Sequence, residues 1–207
     1  MQLTPRRRAS GFTLIELMVT ISLLAILVTL AVPAFTAWIR NAQIRSAAEA
    51  LQGGIRTAQA EALRRNRQVV MTFTKLTPAA GRDAEVDGWN WTLQTVPQFG
   101  ETVSVSDYIS GGSIAETNSS VRVTSGVNAI CFNSNGRLAV TTGARVSEAA
   151  PSASCATAAT AFNISQGGAN DRALRVVVQL GGQVRMCDPK RPMLSATAPD
   201  GCPASPV

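Results

Sequence analysis

The chain has 207 residues, a formal charge of +6 and a hydrophobic fraction of 45%, and it contains no histidine. That length suits one small domain with an anchor rather than several domains. The missing histidine excludes His-dependent triads, imidazole metal ligands and imidazole pH switches.

Residues 1–11 form a basic leader that ends on Gly11. Arg6, Arg7 and Arg8 supply half of the net charge, so the rest of the chain is only mildly basic. Residues 11–35, GFTLIELMVTISLLAILVTLAVPAF, follow as a long apolar run. About 20 apolar residues at roughly 1.5 Å each span the hydrocarbon core of a bilayer. No residue from Leu17 to Val32 is charged, and the preceding arginines place the leader on the cytoplasmic side.

Glu16 stands against this pattern, because an acid in lipid costs about 2.5–3.5 kcal/mol on insertion scales. A conventional secretory signal has its small-residue cleavage site after the apolar core, whereas Gly11 precedes it. A cut at Gly11 would therefore leave the apolar segment on the product and free the amine of Phe12. That amine, on a neighbouring subunit, could neutralise Glu16. A plain signal anchor leaves unexplained why Gly11, Phe12 and Glu16 fall together.

The run Gly11-Phe12-Thr13-Leu14-Ile15-Glu16-Leu17 resembles the processing motif of type IV prepilins and type II secretion pseudopilins. The resemblance implies that a membrane prepilin peptidase cuts after Gly11 and methylates Phe12. It also implies that Glu16 registers the subunit in a helical filament. Pro33 sits where many members of that family carry a helix-kinking proline.

Residues 36–68 are expected to continue the helix. Ala37, Ile44, Ala48, Leu51, Ile55, Ala58 and Ala62 recur at three- and four-residue spacing and share one face. Arg40, Arg45, Glu49, Arg56, Glu61 and Arg64 lie largely off it. Gly53-Gly54 should weaken the helix by about 1 kcal/mol per glycine. Arg64, Arg65 and Arg67 close it, where positive charge suits the helix dipole.

Residues 69–74, VVMTFT, have strand composition. Residues 77–87 read as a loop. Residues 89–96 alternate Trp89, Trp91 and Leu93 against Asn90, Thr92 and Gln94, a half-buried strand whose tryptophans anchor the core. Residues 102–106 and 121–124 are short strands, with a loop over 111–120. Residues 129–132 and 137–141 flank Asn133-Ser134-Asn135-Gly136, a tight-turn signature. Residues 142–160 read as an exposed excursion, and 161–165 as a strand. Residues 172–180 and 183–187 flank a second turn at Gly181-Gly182, and 193–207 form a proline-bearing tail held only by Cys202.

The four cysteines, Cys131, Cys155, Cys187 and Cys202, show no CxxC spacing, which argues against a zinc ribbon or thioredoxin-type site. In a periplasm-like compartment disulfides persist. Sequential pairing, Cys131–Cys155 and Cys187–Cys202, would staple two loops at roughly 3 kcal/mol each. Four cysteines allow two other connectivities, which the sequence leaves open.

Ile130-Cys131-Phe132-Asn133-Ser134-Asn135-Gly136-Arg137-Leu138 is similar to the strand–turn–strand of the GspH/FimT group of minor pilins and pseudopilins. Gly182-Gln183-Val184-Arg185-Met186-Cys187-Asp188-Pro189 resembles the C-terminal segment of its pilus members. The group's implied fold is α+β, a long N-terminal helix against antiparallel β-sheets. Its implied organisation is a leader over 1–11, a filament-core helix over 12–35, an amphipathic continuation over 36–68 and a periplasmic head over 69–207. The implied setting is the inner membrane, crossed once, and then a pilus or pseudopilus. The implied partners are other minor and major pilins, the assembly platform and prepilin peptidase, with no cofactor.

Some members of the group bind DNA through a Gly-Arg-x-Arg element. Here Gln183 replaces the first arginine, yet Arg172, Arg175, Arg185, Lys190 and Arg191 cluster on and beside one hairpin. Arginines there can touch phosphates without reading bases. They can equally guard a sheet edge against aggregation. No GxSxG, SxxK or GxxxxGK motif supports an enzyme, and Asp83 with Glu85 read as solvated loop charges. The function expected is a type IV pilus minor pilin acting in assembly, with a type II secretion pseudopilin as the alternative.

Overall fold

The computed structural model describes residues 11–102, 104, 107–114, 120–139, 144–168, 171–193 and 200–203. The leader up to residue 10 and most of the strand expected at 102–106 lie outside them. The chain divides into two compact units, one ending at Ile39 and one beginning at Arg40. Helix α1 (Leu14–Arg65) contributes residues to both.

In the first unit the helix is apolar on every side, and Leu17, Leu24, Leu27 and Leu30 are exposed. It is the helix among the described residues that is long and apolar enough to cross a membrane. Its few hydroxyls turn back onto its own carbonyls. Ser22 Oγ donates to Met18 O at 2.8 Å, and Thr29 Oγ1 to Ile26 O at 2.8 Å. Thr36 Oγ1 donates to Pro33 O at 3.0 Å. No water-seeking hydroxyl among these is left facing outward, which is what a lipid environment demands.

In the second unit α1 becomes one-sided. Ile44, Ala48, Leu51, Ile55, Ala58 and Ala62 are fully buried, while Ala37 of the expected stripe is only half-buried. The helix ends at Arg65, three residues short of the expected Gln68. Asn66 takes a positive φ of 50°. The Arg67 N–H donates to Ala62 O and the Asn66 N–H to Leu63 O, both at 3.2 Å. This is a Schellman closure with asparagine in the left-handed position.

Two sheets lie in this unit. One has the order β3–β2–β1–β5, made of β1 (Val69–Thr74), β2 (Asn90–Thr95), β3 (Tyr108–Ser113) and β5 (Ala129–Phe132). The other has the order β4–β6–β7–β8–β9, made of β4 (Arg122–Thr124), β6 (Thr160–Ser165), β7 (Leu174–Val178), β8 (Val184–Pro192) and β9 (Gly201–Cys202). All pairings are antiparallel except β8 with β9. Met71, Phe73, Ile130 and Phe132 from the first sheet, and Phe162, Ile164, Val176 and Val178 from the second, meet the α1 stripe in one core. Phe73 and Phe162 join the sheets with ring centroids 5.0 Å apart. Burying each such side chain is worth about 1.5–3 kcal/mol.

Several local readings of the sequence change; the strand expected at 137–141 is, over its described residues 137–139, a single bridge from Leu138 to Phe132. Residues 111–113 are strand, not loop, because Gly111 and Gly112 let β3 pass close to its neighbours. A Cβ on Gly112 would lie 2.7 Å from the Trp91 ring. Trp91 alone of the two tryptophans packs on the core; Trp89 stays 43% exposed. Over its described residues, 144–160, the expected exposed excursion is a packed insert. Its helix α2 (Ala144–Ala149) lays Val146 and Ala149 against Val70, Ala129 and Cys131, so β1 is buried along its whole length. The C-terminal segment is held by β9 as well as by Cys202, and the Asp188 N–H donates to Asp200 O at 2.7 Å.

Disulfides join Cys131 to Cys155 and Cys187 to Cys202. Gly54 admits the Trp91 indole onto α1, since a Cβ there would sit 2.9 Å from the ring. The two expected turns interlock over the helix. Gln59 Nε2 donates to Gly136 O at 2.7 Å, and the Leu138 N–H donates to Leu180 O at 3.1 Å. Gly182, at φ 87°, packs against the Gly136 carbonyl.

Near the start of the unit, Arg40 Nε donates to Asp171 Oδ1 at 2.9 Å and the Gly168 N–H donates to Asp171 Oδ2 at 2.6 Å. Burial pushes the Asp171 carboxyl up, but these two bonds and the charges of Arg40 and Lys190 outweigh it and hold it below its ordinary value. A lowered carboxyl stabilises the fold above its unfolded value of 3.8, and that stability is lost as pH falls through the folded value.

Gly182→Ala should lower the unfolding free energy by about 2 kcal/mol or more, from backbone strain and overpacking. Gly53→Ala, where a Cβ meets nothing within 4 Å, should raise it by about 0.5–1 kcal/mol. Urea titration of the two variants checks both signs. Asp171→Asn should cost about 1–2 kcal/mol at neutral pH, at the low end because Arg40 is 37% exposed. The deficit should shrink as pH drops below 3.8, which thermal melts across pH would record.

Candidate functional site

The first candidate site is the start of α1. Thr13 caps the helix: its Oγ1 accepts from the Glu16 N–H at 3.3 Å and its carbonyl from the Leu17 N–H at 3.2 Å. Thr13 and Glu16 thus hold the Ncap and N3 positions, and the bond from the Glu16 N–H to Thr13 Oγ1 is the N-cap half of the capping-box pattern. The Glu16 carboxylate sits in the first turn, where the helix dipole favours negative charge. Gly11, Phe12 and Glu16 are all exposed, Phe12 to 84%. No cation pairs with Glu16 among the described residues.

This geometry can do two things chemically. Gly11 lies just ahead of the helix in non-helical backbone, where a protease can reach it. A cut there would place a new amine one residue before the cap, about one helical turn from the Glu16 carboxylate. Thr13 is the residue that sequence reasoning passed over. The pattern Thr-x-x-Glu before an apolar run was the signal that marks it.

The second candidate site is the basic group on β7 and β8, which the fold interleaves with acids. Arg172 Nε donates to Asp188 Oδ2 at 2.9 Å and its Nη2 to Asp200 Oδ2 at 3.2 Å. Arg191 Nη1 meets Asp200 Oδ2 at 3.3 Å. Arg175 Nε donates to Asn163 Oδ1 at 2.7 Å, and Lys190 Nζ to Asp171 O at 3.4 Å. Arg185 Nη1 lies 3.0 Å from Met193 Sδ. Burial raises the Asp188 carboxyl, but the Lys190 N–H and the Arg172 guanidinium bring it below its ordinary value. Asp188 and Asp200 thus carry charge that a phosphate would have to displace from Arg172 and Arg191. Sequence spacing showed the cations; it did not show their partners, of which Asn163 lies on β6, Asp188 on β8 and Asp200 beside β9. Among the described residues no group of histidine, cysteine or acidic side chains could hold a metal ion.

Comparison with known proteins gives two family matches. Residues 6–32 match the prokaryotic N-terminal methylation motif. Residues 47–182 match the family described as type II transport protein GspH. Among solved structures, the type IV minor pilin FimU of Pseudomonas aeruginosa is 17% identical, with 69% of this chain and 87% of that chain covered at a TM-score of 0.46. The minor pseudopilin EpsH of the Vibrio cholerae type 2 secretion system is 12% identical, with 72% and 99% covered at a TM-score of 0.43. No curated protein sequence matches. Pilins and pseudopilins are structural components that assemble with one another after processing by prepilin peptidase. With the methylation motif on its apolar helix and the second match spanning most of its length, the chain belongs to the GspH family of minor pilins and pseudopilins.

Proposed function

We propose that the chain is a minor pilin of a type IV pilus, cut after Gly11, N-methylated at Phe12 and built into the assembly or tip complex of the filament. It acts as a structural subunit and not as an enzyme. The observation that carries this reading is Glu16: a lone exposed acid in the first turn of an otherwise apolar helix, with Thr13 capping that helix just ahead of it. In lipid such a group is costly. Its natural counterion is the Phe12 amine of an adjacent subunit, which becomes available only after the cut. A charge-assisted bond of that kind is strong where water is scarce. The apolar side chains of residues 14–32 then exchange lipid for neighbouring helices as the subunit leaves the membrane. The head, residues 69–207, would stand on the periplasmic side.

A pseudopilin of a type II secretion system would use the same anchor and the same pairing. The resemblance of the segment at 182–189 to pilus members favours the pilus. The proposal does not extend to DNA, because Arg172 and Arg191 already hold the carboxylates of Asp188 and Asp200.

Glu16→Ala should leave the protein cut and membrane-inserted but incorporate it poorly into filaments; normal incorporation would refute the pairing. Replacing Gly11 with alanine should be tolerated, whereas Gly11→Val should block the cut, as mass spectrometry of the N-terminus would read. Deleting the gene and scoring pili, twitching and secreted enzymes together separates the two machines.

A further inference from the structure

The described residues include one cleft where the head presents more than its own packing requires. It opens beyond the C-terminal end of α1, has a volume of about 400 Å³ and is lined by Arg67, Val96, Gln98, Phe99, Asn133 and Arg145 among others. Its rim is a braced turn. The Glu101 N–H donates to Gln98 O at 3.0 Å, and the Gln98 N–H donates to Glu101 Oε2 at 2.8 Å. Gly100 closes the turn at φ 86°, and Arg67 ties Glu101 to the end of the helix.

The turn holds Phe99 outward with 91% of its surface exposed. The Arg145 guanidinium carbon lies 4.9 Å from the centroid of the Phe99 ring. No carboxylate pairs with Arg145 among the described residues. Arg67 Nε is buried beside the same cleft and has no acceptor. Neither the Phe99 ring nor the Arg145 charge belongs to any core cluster. An exposed aromatic on a braced turn next to an arginine is the composition of an interface anchor. Stacking on the ring pre-orients the guanidinium, leaving its fork of donors free for a carboxylate.

We propose that this cleft receives an acidic segment of another pilin-like subunit, with one carboxylate on Arg145 and an adjacent apolar group on the open face of Phe99. The inference rests on the reading of the chain as a filament subunit. Single-stranded nucleic acid fits less well, although it too combines anions with stacking rings. Arg67 is already paired with Glu101, so Arg145 is the one cation of the cleft without a carboxylate among the described residues, and one cation suits a single carboxylate better than a run of phosphates.

The test places a photo-crosslinking phenylalanine analogue at position 99 of the full chain, in cells that assemble the filament. Position 86, where Val86 is 45% exposed, serves as the control. The same cells report N-terminal processing and recovery in the sheared filament fraction. The expected result is a crosslink from position 99 to an Asp- or Glu-bearing peptide of a second pilin-like subunit. Arg145→Glu should reduce it by roughly ten-fold. Exchanging the crosslinked carboxylate for lysine in the partner should restore it. An incorporated chain whose position 99 crosslinks no more than position 86, crosslinks to nucleic acid, or ignores Arg145→Glu overturns the cleft alone. A wild-type chain that never enters the filament fraction overturns the subunit reading and the cleft with it.

Discussion

A single helix that must satisfy two different surroundings constrains everything else in this chain. Over its first half every face of α1 is apolar, and its hydroxyls are spent on its own carbonyls. Over its second half only one stripe, Ile44 to Ala62, is buried. The stripe alternates branched side chains with alanines. The alanines let two sheets approach the same helix closely, and the large residues fill the space between them. Phe73, Phe132 and Phe162 are buried in the cluster that this stripe completes.

Two glycines show how closely the layers approach. Gly54 sits under Trp91, and Gly182 lies against the Gly136 carbonyl. The Gly182 contact joins the turn after β5 to the turn before β8, and Gln59 of α1 fastens the pair. The helix therefore organises the head twice, once through its apolar stripe and once through a polar side chain that reads a turn. At the other end of the same helix segment, Arg40 reaches Asp171 across the chain. The helix segment is thus fastened to a loop of the head near each of its ends.

Much of this was legible in the residues. Three- and four-residue spacing located the stripe, β-branched runs located β1 and β7, and Asn133 to Gly136 marked its turn. The motif from Gly11 to Leu17 identified the anchor because its parts are adjacent. What the sequence hid depends on partners far away in it. Arg40 and Asp171 are 131 residues apart, and nothing in either neighbourhood names the other. Gly111 and Gly112 suggested a loop because glycine is a weak strand former; only the Trp91 ring explains them as strand. The Ala, Ser and Gly content of 142–160 suggested an exposed excursion. Small residues were needed there because α2 packs flush against β5. The basic hairpin was visible as charge, but one of its acids, Asp200, arrives beside a parallel pairing that periodicity cannot reveal.

Both sulfur bridges fall outside the principal core. Cys131 and Cys155 belong to the small cluster under α2, and Cys187 and Cys202 to another beside β9. None of the four touches the layer where helix and sheets meet. Oxidation therefore secures the garments of the head rather than its body. Each bridge ties down a segment laid over that core, so the contacts between helix and sheets do not run through sulfur.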